Sequence, residues 1–171
     1  VRDRSPFTLF DQYYHFGASF QDAADVVLKE NPTWIGISSL FSPYYKEVFK
    51  LAEAIRKVTS ASIIVGGPHP SACPELMVKH AAIDYVIVGE GENPLINLLE
   101  ALVANKSDLS HIPNLVYLRD GEVVINEQKK SCHPDELPLP DFSDFALDDY
   151  LYEKRPLAPI LSSRGCPHSC S

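Results

Sequence analysis

The sequence predicts an α/β fold in which a parallel sheet is flanked by helices, with a small antiparallel hairpin and an extended C-terminal linker. Three observations support this prediction. Short apolar runs alternate with segments of helical periodicity, glycines follow two of those runs, and an Asp-Gly pair separates two further β-like runs. Strands that alternate with helices favour a parallel sheet that is covered on both faces.

The first predicted element is a helix from Ser19 to Glu30, because apolar residues recur there at helical spacing. Ser19 suits an N-cap, and Asn31-Pro32 is a typical stop signal. The apolar run 34–38 then predicts a short buried strand. Ser42-Pro43 predicts the start of a second helix, since proline is favoured at the first helical position. The predicted apolar face of this helix comprises Tyr45, Val48, Phe49, Ala52 and Ile55.

Two further strands are predicted, and each is followed by glycine. Residues 62–65 form the first and end at Gly66-Gly67-Pro68, after which a short helix is expected over 74–80. Residues 85–88 form the second and end at Gly89-Glu90-Gly91-Glu92. Asn93-Pro94 is predicted to cap the next helix. The predicted apolar face of that helix comprises Leu95, Leu98, Leu99, Leu102 and Val103.

The remaining residues predict a hairpin and a linker. Runs 115–118 and 123–125 flank Asp120-Gly121, a dipeptide that suits a tight hairpin turn. Residues 131–157 contain many prolines and acidic residues, which is typical of an extended linker. We therefore expect an α/β domain over residues 1–130, a linker over 131–157 and the start of a second domain over 158–171.

Composition and charge exclude several classes of function. The 171 residues are 45% hydrophobic and 22% charged, as in an ordinary globular domain. A formal net charge of −8 argues against nucleic acid as a partner, because phosphate binding needs clustered Lys and Arg. No apolar run approaches the roughly 20 residues of a membrane span. Four cysteines do not resemble a disulfide framework, so we expect a reducing, cytoplasmic location.

The functional site is predicted at the carboxyl edge of the sheet, where ligands bind in open parallel sheets. Glycine lets a large flat ligand or a phosphate approach the backbone, and serine offers uncharged hydrogen bonds. Three predicted turns combine such residues at this edge. The predicted cofactor-binding residues are Ser38, Ser39, Leu40 and Phe41 in the first turn, Gly66, Gly67, Pro68 and His69 in the second, and Gly89, Glu90 and Gly91 in the third.

Each turn taken alone also fits an ordinary connection between a strand and a helix. The run Gly89-Glu90-Gly91 lacks the third glycine of a dinucleotide-binding fingerprint. Three classes of function therefore stay open from the residues alone. The first is a cofactor-binding domain of an enzyme, and the second is a non-catalytic, flavodoxin-like module that binds a flavin or a nucleotide. The third is an interaction scaffold that keeps the fold without any ligand.

The order of these motifs resembles the cobalamin-binding domains of the cobalamin-dependent radical S-adenosylmethionine superfamily. Ser38-Ser39-Leu40 and Gly66-Gly67 match the Ser-x-Leu and Gly-Gly elements of that family, and Leu137-Pro138-Leu139-Pro140-Asp141 resembles its linker. The resemblance implies a Rossmann-like, flavodoxin-like domain that binds cobalamin. It also implies that the first two turns enclose the nucleotide tail of the cofactor.

The sequence departs from that family in two respects. The run from Asp11 to Gly17 does not match Asp-x-His-x-x-Gly, the motif whose histidine binds cobalt from below in other cobalamin domains. Neither His15 nor His69 is therefore assigned as a cobalt ligand. Nothing before Phe7 matches the usual first strand, which we expect to be missing.

Cys166 and Cys170 are the predicted metal ligands. A cysteine at the second position past Ser171 would complete the Cys-x-x-x-Cys-x-x-Cys triplet that holds a [4Fe–4S] cluster in radical S-adenosylmethionine enzymes, since thiolates suit iron–sulfur clusters. A zinc site stays open as the alternative, with His168 between the two cysteines.

The resemblance implies that the chain is the front part of a longer enzyme that uses the cluster, S-adenosylmethionine and cobalamin. Its partner would be the radical domain of the same chain. The implied reaction is methyl transfer to an unreactive carbon, or a cyclisation. No catalytic residue is assigned within the 171 residues, which we expect not to be catalytic alone.

Overall fold

A mixed sheet of five strands organises the larger of two compact units in the computed structural model, which describes residues 18–129, 134–143, 151–152 and 155–156. The larger unit spans residues 1–129 and the smaller one residues 130–171. In chain order, the larger unit contains α1 (Phe20–Glu30), β1 (Trp34–Ser38), a 3-10 turn (Ser42–Tyr44), α2 (Tyr45–Arg56), β2 (Ser62–Gly66), α3 (Pro68–Ala72), α4 (Pro74–Val78), β3 (Tyr85–Ile87), α5 (Glu92–Val103), β4 (Leu115–Arg119) and β5 (Glu122–Ile125).

The strands are ordered β1-β2-β3-β4-β5, and the first three are parallel. Strand β4 pairs antiparallel with β3, and β5 pairs antiparallel with β4. The predicted parallel sheet and hairpin are both confirmed, and the hairpin is the antiparallel margin of the same sheet. Its turn places Asp120 and Gly121 at φ of 53° and 84°, because both central positions of such a turn need positive φ.

The first helix begins where the sequence predicts. The Ser19 hydroxyl accepts a hydrogen bond from the Asp22 amide at 3.1 Å, and the Asp22 carboxylate accepts one from the Ser19 amide at 3.0 Å. This reciprocal capping box contributes about 1 kcal/mol to helix stability. Asn31 ends the helix in the left-handed conformation, with φ of 46°. The cap and the stop signal are therefore both confirmed.

Side chains that alternate along β2 and β3 divide the core into two layers. Ile63, Val65 and Val86 belong to a cluster with residues of α2 and α4, on what we call the α2 face. Ile64 and Ile87 belong to a second cluster with Leu98 and Ala101 of α5, on what we call the α5 face. Helices thus cover both faces, as predicted.

Two predictions about helices are wrong in detail. Pro68 and His69, predicted as part of the turn after β2, begin the short helix α3 over residues 68–72, because Pro68 suits the first helical position. The helix predicted to start at Asn93-Pro94 starts at Glu92, with Gly91 as its N-cap. Val103 is 65% exposed and does not belong to its buried face. Each residue turns the helix by about 100°, so Val103 lies far round the helix from the buried Ala101.

The smaller unit contains a 3-10 turn at Pro134–Glu136 and a two-stranded hairpin of β6 (Leu151–Tyr152) and β7 (Arg155–Pro156). The predicted metal ligands Cys166 and Cys170 lie outside the described residues, as does all of 158–171. The predicted boundaries of the linker and of the second domain stay predictions. Within the described residues, no helix has the length and apolar character needed to cross a bilayer.

Candidate functional site

The three predicted turns meet at the carboxyl edge of the parallel strands. The first and second turns are joined directly, since the Ser39 amide donates to the Gly66 carbonyl at 2.8 Å and the His69 amide donates to the Ser39 carbonyl at 3.2 Å. The chain after β1 is therefore fixed to the chain after β2 by two backbone hydrogen bonds.

Ser71 of α3 joins the second turn to the third. Its hydroxyl donates to the Gly67 carbonyl at 2.8 Å and accepts from the Gly89 amide at 2.8 Å. Ser71 was not among the predicted site residues, because nothing in the local pattern shows that its hydroxyl lies beside Gly89. The three turns thus form one hydrogen-bonded rim.

Gly67 is the position where the first two turns come closest together. Its φ is 107°, and a Cβ there would lie 2.8 Å from the Ser39 carbonyl oxygen. Only glycine adopts this conformation readily and also leaves that space free. The glycine predicted from the Gly-Gly pair is thus required by the packing of the two turns against each other.

A patch of the sheet beside this rim has little side-chain cover from the described residues. Gly36 and Ser38 lie on the same face of β1 and pair in register with Ile64 and Gly66 of β2, which places all four on the α5 face. Among the residues that the structure describes, a Cβ added at Gly36 would meet nothing within 4 Å, and one at Gly66 would meet only the Ile87 carbonyl oxygen at 3.9 Å. We call the surface of Gly36, Ser38 and Gly66 the glycine groove.

The glycine groove contains predicted and unpredicted residues. Ser38 is exposed, so its hydroxyl is accessible to a ligand. Gly36 was not predicted as a site residue, although glycine inside an apolar strand is a recognised signal of close approach by a ligand or another backbone. Trp34 lies on the same face of β1 and is partly buried against the second core cluster.

The first turn presents an apolar surface to solvent. Leu40, Phe41 and Tyr44 are between 61% and 64% exposed. Phe41 and Tyr44 pack edge to face, with ring centroids 6.5 Å apart. Exposed aromatic side chains at the rim of a binding site are suited to cover a flat apolar ligand.

His69 and Ser39 are buried on the other side of the rim. The Nδ1 atom of His69 is 3.0 Å from the Ser42 hydroxyl, and its ring stacks on Tyr45 with centroids 5.2 Å apart. Ser39 follows Ile37 by two positions, so its side chain points to the α2 face. His69 Nε2 and Ser39 Oγ are buried without a hydrogen-bond partner among the described residues. Buried polar atoms need partners, which an ordered water or a ligand group can provide.

The third turn contains Gly89, Glu90 and Gly91. Gly89 has φ of 75°, Gly89 and Glu90 are exposed, and Gly91 caps α5. Asn114 supports this turn from beneath, because its carbonyl accepts from the Val88 amide at 2.9 Å. The Asn114 side chain in turn holds Lys129 through two hydrogen bonds, of 2.7 Å and 3.0 Å. Asn114 was not predicted as a site residue, because its role depends on contacts with residues 15 and 26 positions away in the chain.

Comparisons with known proteins give one family match and several similar proteins. A family model described as the B12 binding domain matches residues 11–99. An uncharacterized methyltransferase of Pyrococcus horikoshii is 32% identical over 157 residues, which cover 89% of this chain and 33% of that protein. An anaerobic magnesium-protoporphyrin IX monomethyl ester cyclase of Cereibacter sphaeroides is 25% identical, over 92% of this chain and 28% of that protein.

The fold also matches a solved structure. The cobalamin-dependent S-adenosylmethionine radical enzyme OxsB, with aqua-cobalamin and S-adenosylmethionine bound, superposes with a TM-score of 0.62 at 24% identity, over 72% of this chain and 18% of that one. This likeness concerns the fold. The chain spans about a third of the length of the curated relatives it matches.

Proposed function

We propose that this chain, which belongs to the family of B12-binding domains, binds cobalamin at the carboxyl edge of its parallel strands. The observation that carries the proposal is the rim of three hydrogen-bonded turns beside the glycine groove. A corrinoid is a large ligand with a flat macrocycle and a nucleotide tail, so it needs backbone that can be approached closely over a wide area. Gly36 and Gly66 provide that approach.

Some residues of the rim are proposed to contact the ligand, and others hold the turns in place. We assign Ser38, Leu40 and Phe41 to direct contact with the ligand, because all three residues belong to the first turn and are exposed. Gly67, His69 and Ser39 support the rim from within, since their packing fixes the first turn on the second. By resemblance to the family, the first two turns would enclose the nucleotide tail. When bound, cobalamin supplies a transferable methyl group, and this domain supplies binding and orientation.

The family match favours cobalamin over the flavin or nucleotide that the residues alone left open. The test is direct. The purified chain, free of cofactor, is incubated with hydroxocobalamin, passed through a desalting column and examined by visible absorption. We expect close to one corrinoid per chain. Retention of flavin mononucleotide in a parallel sample, without retention of the corrinoid, would overturn the proposal.

We further propose that the domain works within a radical S-adenosylmethionine enzyme that carries a [4Fe–4S] cluster. The support comes from relatives named as methyltransferases and cyclases, which are about three times as long as this chain. The partner of this domain would be the radical domain of the same protein, and the reaction would be methyl transfer or cyclisation at an unreactive carbon. A location in the reducing cytoplasm stays a prediction from the cysteine pattern.

In this proposal Cys166 and Cys170 ligate the cluster. The full-length protein would be reconstituted with iron and sulfide without oxygen, and its cluster absorbance measured. We expect Cys166→Ala and Cys170→Ala each to lose most of that absorbance. Cys73→Ala is the matched control, because Cys73 is an exposed free thiol in the larger unit. Equal loss in all three variants, or in none, would contradict the assignment.

A further inference from the structure

We propose that Ser71 is a positioning residue that holds the third turn at the distance from the second turn that the corrinoid requires. The inference rests on the proposed function, and it assigns to α3 a role that neither the motifs nor the comparisons indicate. The juxtaposition that carries it is the single hydroxyl placed between the Gly67 carbonyl and the Gly89 amide.

The orientation of the Ser71 hydroxyl is fixed by its own helix. The Gly67 carbonyl accepts both the Ser71 amide, at 3.0 Å, and the Ser71 hydroxyl, at 2.8 Å. A serine hydroxyl has one proton to donate and can accept through its lone pairs. Because the proton is directed to Gly67, the oxygen is left as an acceptor for the Gly89 amide. The Gly89 amide, the Ser71 hydroxyl and the Gly67 carbonyl thus form a short relay in which each hydrogen bond polarises the next.

The second turn is held against the first by contacts that do not involve Ser71. Gly67 packs on the backbone of Ser39, and the His69 amide is bonded to the Ser39 carbonyl. The third turn, by contrast, contains two adjacent exposed residues, Gly89 and Glu90. Ser71 therefore links the first two turns to Gly89, one residue beyond the hydrogen bond that the Val88 amide donates to the Asn114 carbonyl.

Loss of the hydroxyl should affect binding more than folding. Gly89 is exposed, so water can replace Ser71 as the partner of its amide, and the free protein keeps most of its stability. The ligand, however, would have to order the third turn as it binds, which weakens affinity. Since one hydrogen bond contributes roughly 1 kcal/mol, we expect the dissociation constant for hydroxocobalamin to rise about five- to tenfold.

The test compares Ser71→Thr with Ser71→Val, two side chains of the same shape that differ by one hydroxyl. We expect the Thr variant to bind hydroxocobalamin like the original protein and the Val variant to bind about five- to tenfold more weakly. Hydrogen exchange of the Gly89 amide should be faster in the Val variant and unchanged in the Thr variant. A general loss of packing in α3 would instead speed exchange in both variants. Ser60→Ala, an exposed serine between α2 and β2, is the control for surface substitution.

The outcomes separate this inference from the proposed function. If the original chain does not bind hydroxocobalamin, the proposed function fails. If the original chain binds and the Thr and Val variants bind equally, Ser71 has no positioning role and the inference is overturned. If the Val variant is less stable, affinities are compared per folded molecule, with folding followed by circular dichroism. Equal affinity by that measure also overturns the inference.

Discussion

Gly67 and Ser39 lie so close that a Cβ at Gly67 would stand 2.8 Å from the Ser39 carbonyl oxygen. This contact joins the turn after β1 to the turn after β2, so a larger residue at position 67 should disturb both folding and cobalamin binding. Gly67→Ala should displace the first turn, lower the free energy of unfolding by more than ~2 kcal/mol and raise the dissociation constant for cobalamin at least tenfold. Chemical denaturation and titration with hydroxocobalamin measure the two effects.

Gly121→Ala is the matched control for that substitution. Gly121 also has positive φ, of 84°, but a Cβ there would meet nothing within 4 Å. The control therefore carries the strain of a positive φ without the clash, and we expect it to lose only about 1–2 kcal/mol and to leave cobalamin affinity unchanged. Equal losses of affinity in both variants would show that the contact with Ser39 is not the cause.

Filling the glycine groove should weaken cobalamin binding without lowering the free energy of unfolding. Gly36 has open space around the position of its missing Cβ, and β-branched residues are favoured in strands. Gly36→Val should therefore keep or raise the free energy of unfolding by up to ~1 kcal/mol while it weakens cobalamin binding about tenfold or more. Gly36→Ala should give a smaller loss of affinity. A Val variant that binds normally would remove the groove from the site.

The single tryptophan offers a direct signal for occupancy of the groove. Trp34 lies on the same face of β1 as Gly36 and Ser38, and it is the only tryptophan of the sequence. A corrinoid absorbs light in the region where tryptophan emits, so binding should quench Trp34 fluorescence in a saturable way. Trp34→Phe should abolish the signal and still retain corrinoid on a desalting column. Binding without quenching would place the ligand away from this face.

Tyr85 predicts a loss of stability at alkaline pH. Burial, together with the nearby Asp84 carboxylate and Tyr117, raises the pKa of Tyr85 above its ordinary value of 10.0. The folded protein thus holds this proton more tightly than the unfolded chain. Stability is complete below the unfolded pKa and declines as the pH rises from there through the folded pKa.

The test of this pH dependence is a series of denaturation curves from pH 8 to 12. Tyr85→Phe should show a shallower alkaline decline than the original chain, because it lacks the phenol that must ionise. Tyr44→Phe is the control, since Tyr44 is 61% exposed. A Tyr85→Phe profile that declines as steeply as the control profile would contradict the assignment.

The elements that the sequence predicted well are those whose signals are local. Ser19 caps α1 through a reciprocal bond three residues away, and Trp34–Ser38 is bounded by its own apolar run. The features that it missed depend on residues distant in the chain. Ser71 bonds to Gly89, and Asn114 bonds to Val88 and Lys129, partners that only the pairing of β2, β3 and β4 brings together.

In the candidate site, too, local signals were predictable from the sequence and long-range packing was not. Glycines and serines after the strands predicted where the turns meet, because parallel strands place their carboxyl ends at one edge. Which side chains face a ligand depends on the alternation along each strand. His69 and Ser39, both predicted to bind a cofactor, are buried toward α2, whereas Ser38 faces the groove. Whether the predicted residues contact cobalamin stays a prediction.

The hydrogen bonds that Ser39 donates to Gly66 and that Gly89 donates to Ser71 are formed within the protein itself. The conformational entropy of these turns is therefore lost during folding and not when the ligand arrives. A preorganised rim of this kind should accept its ligand by nearly rigid docking, with little change in association rate between related variants. Differences in affinity among substitutions around the groove should then arise chiefly from how quickly the bound ligand dissociates.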